Sequence, residues 1–298
     1  MNLIEKAAQR LQLTAGEPLP GPHFVPLDAG NASPSVVGAI MPGDSQARRQ
    51  ATEQRRAAPR VTLDLDKLQR LGYLVPNMDR SALADEFRHV KRMLLRNVEG
   101  GATGSDARNA LIMVTSAVEG EGKTFCAINL AMSMAMEVDT SVLLIDVDVM
   151  RPSVMQRLGV KADRGLLDLL TRSGVELSDV ILDTNVPKLS ILPTGTLHNR
   201  STELLSSAAM DSLLHDLARR YSDRIVIFDA PPLLLTTAAP ALATSMGQIV
   251  MVVEAAKTSR REVAEAFAAV EECPIVMSVL NKCDDPRAAR RYAYYGKR

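Results

Sequence analysis

Ser116-Ala117-Val118-Glu119-Gly120-Glu121-Gly122-Lys123-Thr124 follows the apolar run Ala110-Leu111-Ile112-Met113-Val114 and precedes Phe125 to Met136, a run with helical spacing. A strand, a glycine-bearing turn and a helix start form the context that a phosphate-binding loop needs. Backbone N–H groups at the helix start face an anion there, and the helix dipole adds to the attraction. In such a loop Lys123 neutralises β/γ-phosphate charge and the Thr124 hydroxyl ligates Mg²⁺. The stretch expected to face the nucleotide is Val118, Glu119, Gly120, Glu121, Gly122, Lys123, Thr124 and Phe125. The pattern G-x-x-x-x-G-K-[ST] is incomplete, because Ala117 stands where its first glycine belongs. The neighbouring segments must supply what the loop lacks.

They alternate strand and helix. Strands are predicted at 110–115, 141–146, 189–192, 224–229, 248–253 and 274–280. Helices are predicted at 123–136, 153–158, 165–171, 202–221, 238–245 and 258–271. Strand 141–146, Ser-Val-Leu-Leu-Ile-Asp, is apolar almost throughout, as a strand buried on both faces must be. The fold class is α/β, a P-loop NTPase with a mostly parallel sheet and helices on both faces. Ligands of such sheets sit at the carboxyl ends of the strands. Lys123 follows one strand, Asp146 and Asp148 a second, Asp229 a third and Asn281 a fourth.

The acidic residues suit phosphoryl transfer. Asp229 closes Ile225-Val226-Ile227-Phe228, where a carboxylate can hold Mg²⁺ directly or through water. Asp146 and Asp148, at i and i+2 on an extended segment, point the same way. One can contact the metal while the other takes a proton from an incoming hydroxyl. Arg151 either meets phosphate or caps the next helix, and Asn281 is a candidate contact for the adenine base. The metal set is expected to be Thr124, Asp146 and Asp229, and the catalytic set Lys123, Asp146, Asp148 and Asp229.

Upstream, residues 1–13 read as a short amphipathic helix, either packed on its own domain or docked on a membrane partner. Residues 14–60 hold seven prolines among Gly, Ala and Ser, and read as a flexible linker. Order resumes near Val61, and the domain is expected to run over 61–285. Ser81 caps a helix over 82–97 with a stripe of Leu83, Phe87, Val90, Leu94 and Leu95. Asp85, Arg88 and Lys91 recur at i, i+3 and i+6 and are candidates for contact between subunits.

Composition narrows the class. The charges balance at 35 basic and 35 acidic, and aromatics are 3% with no Trp, which argues against a nucleic-acid partner. The N-terminus lacks the apolar core of a secretory signal, and no apolar run is long enough to span a bilayer, so a cytoplasmic location is expected. Cys126, Cys273 and Cys283 lack metal-ligand spacing, although Cys126 follows the loop closely enough for its thiol to be acidified.

Three of the five tyrosines close the chain, in Tyr292-Ala293-Tyr294-Tyr295-Gly296-Lys297-Arg298. Their neighbours are Arg287, Arg290 and Arg291, so residues 286–298 read as a basic tail carrying phosphoacceptors. A phenol becomes a nucleophile where a carboxylate takes its proton.

These residues resemble the bacterial tyrosine autokinases (BY-kinases) of polysaccharide export loci. Their Walker A loop resembles Ser116 to Thr124, Walker A′ resembles Val142 to Asp148, and Walker B resembles Ile225 to Asp229. The tyrosine cluster is matched by Tyr292, Tyr294 and Tyr295, and the likeness covers roughly residues 80–298. Leu3-Ile4-Glu5-Lys6-Ala7, Arg151-Pro152-Ser153-Val154 and Pro231-Pro232-Leu233-Leu234-Leu235 resemble the exosortase-linked exopolysaccharide subgroup. The resemblance implies an ATP- and Mg²⁺-dependent autokinase that labels its tail in trans within a homo-oligomer. It also implies a membrane-bound polysaccharide chain-length (co-polymerase) partner. Asp85, Arg88 and Lys91 resemble the family's subunit-contact pattern E-x-x-R-x-x-R, with Asp85 and Lys91 as conservative changes. Departures are Glu119 where the family often has proline, and Met150 where many members have arginine. Two alternatives stay open. A partitioning or positioning ATPase would carry lysine at Val118 and glycine at Glu119, and this chain has neither. A nucleotide-dependent scaffold with weak catalysis is the other.

Overall fold

The computed structural model describes residues 59–76, 81–100, 107–220 and 224–283. The expected N-terminal helix and linker, the tail and its three tyrosines lie outside them.

The elements in chain order begin with β1 (Arg60–Val61), α1 (Leu65–Arg70) and α2 (Ala82–Val98), then β2 (Leu111–Ser116), α3 (Lys123–Ala135) and β3 (Ser141–Asp146). Next come α4 (Val154–Leu158), α5 (Leu166–Thr171), α6 (Leu177–Val180), β4 (Leu182–Thr184) and β5 (Leu189–Leu192). The chain continues through α7 (Ser201–Leu204), α8 (Ala208–Arg220), β6 (Arg224–Asp229), α9 (Ala238–Ala243), β7 (Gln248–Glu254), α10 (Arg260–Ala268) and β8 (Val276–Asn281). The sheet runs β1-β4-β5-β3-β6-β2-β7-β8. Every pairing is parallel except β4 with β5.

The central strands are buried on both sides because two apolar layers cover them. One joins Met113, Ile145 and Phe228 to α5, α8 and α9. The other joins Ile112, Leu144 and Ile227 to α1, α2 and α3. The sheet therefore has helices on both faces, as its apolar strands required.

Three local features differ from the sequence-based expectation. The helix expected over 202–221 is two helices, α7 and α8. Ser207 separates them, its hydroxyl donating to the Leu204 carbonyl and accepting from Met210 N–H, so it ends one helix and starts the next. Strands β1 and β4, two and three residues long, are too short to show a period. Lys91 is buried rather than presented on the α2 surface, at 6% exposure. Its amine donates to Ser133 O at 2.9 Å and pairs with Glu137 at 2.6 Å, both at the C-terminal end of α3. A cation at that end complements the helix dipole. Asp85 and Arg88 remain together on the accessible face as an ion pair within α2. No helix among the described residues is long and apolar enough to cross a membrane.

Candidate active site

Strand register assembles the site. Asp146 of β3 stands opposite Asp229 of β6, and Asp229 stands opposite Val114 of β2. Ser116, the last residue of β2, opens the phosphate loop two positions further on. Three strand ends thus converge on one edge of the sheet. The segment after Asp229 is sewn to the loop, with Ala230, Leu233 and Leu234 N–H donating to Val114, Ser116 and Ala117 carbonyls.

The loop tolerates its missing glycine for a local reason. Its left-handed positions are Gly120 (φ 87°) and Gly122 (φ 97°), while Ala117 has no positive φ and its methyl is fully buried in the core. A side chain at Gly122 would also strike the Asn281 amide.

Glu121 was expected to face the nucleotide, and its side chain is instead turned into the protein. Its buried carboxylate accepts from Val118 N–H (2.8 Å), Glu254 N–H (3.1 Å) and the Thr258 hydroxyl. Asn281 likewise supports the loop from behind, its amide donating to Glu121 O at 2.8 Å. Lys282 donates to Gly120 O at 2.7 Å and pairs with Glu254. The Phe125 ring packs on Tyr73, with centroids 5.2 Å apart, so this residue can offer only backbone to a phosphate. Glu119, on the exposed turn of the loop, is paired with Arg151 across the mouth. Both are substantially exposed, where such a pair contributes little.

Lys123, Thr124 and Asp148 line a cleft of about 380 Å³, together with Glu119, Gly120 and Gly122 of the loop. Lys123 Nζ lies 2.5 Å from Asp148 Oδ2. The Thr124 and Ser153 hydroxyls are 3.0 Å apart. Asp146 has both oxygens engaged: one accepts from Asp148 N–H, the other from Ser153 and Val154 N–H at the start of α4. Burial, and next the neighbouring Asp229 carboxylate, push its pKa above the usual carboxylate range against these donors.

Asp229 differs from both. It is completely buried and neither carboxylate oxygen has a hydrogen-bond partner of ordinary geometry, although Thr124 stands near enough to lower its pKa. Burial pushes Asp229 up to about 6, with Lys123 pulling in the other direction. A buried carboxylate without partners is costly. Beside a threonine hydroxyl and a phosphate loop it has the donor chemistry of a Mg²⁺ site. Among the described residues no three His, Cys, Asp or Glu side chains form a metal cage, so an ion here would take its remaining ligands from phosphate and water. Cys126, in the first turn of α3, is not an activated thiol: burial above all, then Asp229, pushes it up to about 12.

Comparison with known proteins matches this arrangement. A model of the AAA domain family fits residues 109–273, from the 3₁₀ turn before β2 to the end of the α10 region. The tyrosine-protein kinase YwqD of Bacillus subtilis (strain 168) is 30% identical over 219 residues, 73% of this chain and 88% of that protein. The chain belongs to the bacterial tyrosine kinase family. A second relative of this kinase, the tyrosine-protein kinase CpsD of Streptococcus agalactiae, is 31% identical over 199 residues, 65% of this chain and 85% of that protein. Among solved structures, the kinase domain of VpsO superposes with a TM-score of 0.59 at 27% identity, covering 74% of this kinase and 98% of that chain. The sheet and its phosphate loop are thus those of an enzyme that phosphorylates tyrosine.

Proposed function

We propose that this kinase transfers the γ-phosphoryl group of Mg-ATP to Tyr292, Tyr294 and Tyr295 of a neighbouring copy. The supporting observation is the division of labour among the acidic residues. Asp229 alone is buried without partners, Asp146 is committed to backbone, and Asp148 reaches into the cleft beside Lys123.

The backbone N–H groups of the loop and Lys123 hold the phosphates. Thr124 and Asp229 would hold Mg²⁺, which when bound spreads charge across the β- and γ-phosphates. Asp148 takes the proton of the incoming phenol. The phenolic oxygen then bonds to the γ-phosphorus, the bond to the bridging oxygen breaks, and ADP leaves with that electron pair. Asp146 shapes the floor by holding the start of α4. Asp85 and Arg88 form the accessible part of the expected subunit contact, and Lys91 ties that helix to α3.

Tail phosphorylation in such an assembly fits control of exopolysaccharide synthesis or export through a membrane-bound co-polymerase. The kinase resemblance and the basic, tyrosine-bearing tail support that reading. Incubation with Mg-ATP followed by phosphotyrosine mapping tests it. Label on the three tail tyrosines, abolished in Lys123→Ala, is the expected result. Phosphate release without tyrosine label would overturn it.

A further inference from the structure

The cleft has two kinds of wall. Its floor is polar, with Lys123, Thr124 and Asp148, whereas its rim carries Met150 and Leu235, which are 63% and 59% exposed. Single exposed apolar residues are ordinary, but two large ones lining one catalytic cleft mark a contact surface.

Neither is loosely placed. The Met150 sulfur accepts from the Thr202 hydroxyl at 3.6 Å. Leu235 N–H donates to Pro232 O, and the two residues before it donate to Ser116 and Ala117 carbonyls. The apolar rim is therefore built on the backbone that carries the phosphate loop. Phosphates gain nothing from such a rim. An aromatic ring does, both by area removed from water and by the contact of a thioether with a ring.

We propose that Met150 and Leu235 are the residues that grip the ring of the acceptor tyrosine, and that the ring belongs to the kinase's own tail, residues 292–295, on a neighbouring copy. This rests on the kinase reading given above and adds the residues that select the acceptor. Apolar walls at the mouth favour a phenol over the alcohol of serine or threonine, which has no ring to place there.

Two observations point to the tail as occupant. The described chain leaves the sheet against the phosphate loop, with Asn281 and Lys282 bonded to Glu121 and Gly120 carbonyls. From Cys283 the tyrosines lie 9 to 12 residues on (292 − 283 and 295 − 283), a reach of roughly 30 to 40 Å when extended. The rim also carries the half-exposed Glu119, paired with the exposed Arg151, and the basic residues around the tail tyrosines, Arg287, Arg290, Arg291, Lys297 and Arg298, can compete for that carboxylate.

The test uses full-length chains. A Lys123→Ala chain serves as acceptor, and wild type, Met150→Ser/Leu235→Ser or Met150→Leu serves as enzyme with Mg-ATP. The double variant should raise the KM for the acceptor about tenfold, with ATP affinity unchanged. Met150→Leu, which keeps an apolar wall, should label close to the wild-type rate. An unchanged acceptor KM in the double variant overturns the proposal. So does a fall in ATP affinity that accounts for the lost labelling, which would assign the rim to the nucleotide. If wild type labels no tail tyrosine, the kinase reading fails first and the ring assignment falls with it.

Discussion

The Lys123 ammonium donates to the Asp148 carboxylate across 2.5 Å, with side-chain exposures of 13% and 3%. In the proposed mechanism this pair joins the cation that holds phosphate to the carboxylate that takes the acceptor proton. Phosphate competes for the same lysine, so nucleotide binding and release of the base are one exchange. Asp148→Asn removes the competitor. It should bind ATP at least as tightly as wild type in a fluorescent-nucleotide titration, yet lose roughly 10²- to 10⁴-fold in tyrosine labelling. Loss of ATP affinity equal to that of Lys123→Ala would remove Asp148 from the role of base.

Asp229 ties the site to pH. Burial raises its folded-state pKa from the ordinary carboxylate value, about 4, to about 6. Between these values the folded state binds more protons than the unfolded one. The apo protein therefore loses stability as pH rises from about 4 through about 6. A divalent cation needs the ionised carboxylate, so Mg-ATP affinity should rise over the upper part of the same range. Tm of the apo protein and Mg-ATP affinity, followed from pH 5 to pH 8, should move in opposite directions. Asp229→Asn should reduce the slope of the apo Tm profile below about pH 6, while Asp146, which burial pushes up to about 8, still lowers Tm above it; the same variant should abolish the Mg²⁺ requirement for tight binding. A profile unchanged in that variant would show that another group titrates.

Arg88 and Lys91 should part company on substitution. Lys91 holds Ser133 O and Glu137 at the end of α3, and its loss leaves a buried carbonyl without that donor, costing about 1–2 kcal/mol. Lys91→Ala should lower Tm by several degrees. Arg88→Ala removes an exposed pair within one helix, so Tm should hold while oligomer mass by light scattering falls. Equal effects of both substitutions on mass, with no change in Tm, would return Lys91 to the subunit surface.

The fold was legible because buried parallel strands are apolar throughout, and Asp146, Asp229 and Asn281 each stand directly after an apolar run. The loop was legible despite Ala117, since the left-handed turns fall at Gly120 and Gly122, which are present. Side-chain direction was less so. Charges at 85, 88 and 91 repeat along one helix, but Phe87, Lys91 and Leu94 also fall at helical spacing, and these are the three residues α2 buries. That spacing was the available signal for Lys91. Glu121 and Asn281 gave none: a loop carboxylate can face ligand or scaffold, and their partners, Glu254 and Thr258 for one and the Glu121 carbonyl for the other, are more than 130 residues away in sequence.

Glu121 is the sharpest case of a scaffold role inside a binding motif. One carboxylate gathers Val118 N–H, Glu254 N–H and the Thr258 hydroxyl, joining the loop to the end of β7 and the turn before α10. Glutamine is nearly the same shape but replaces one acceptor oxygen with an amide NH₂, which then confronts a donor. The buried mismatch costs about 1–3 kcal/mol, much of it expressed in the loop. Glu121→Gln should therefore weaken ATP binding about tenfold and lower Tm together. Thr258→Val removes a single donor from the same carboxylate and leaves the charge in place, so it should produce a smaller effect of the same sign on both. Weaker ATP binding at unchanged Tm in Glu121→Gln would mean that the carboxylate acts on the nucleotide itself, contrary to the direction in which it points.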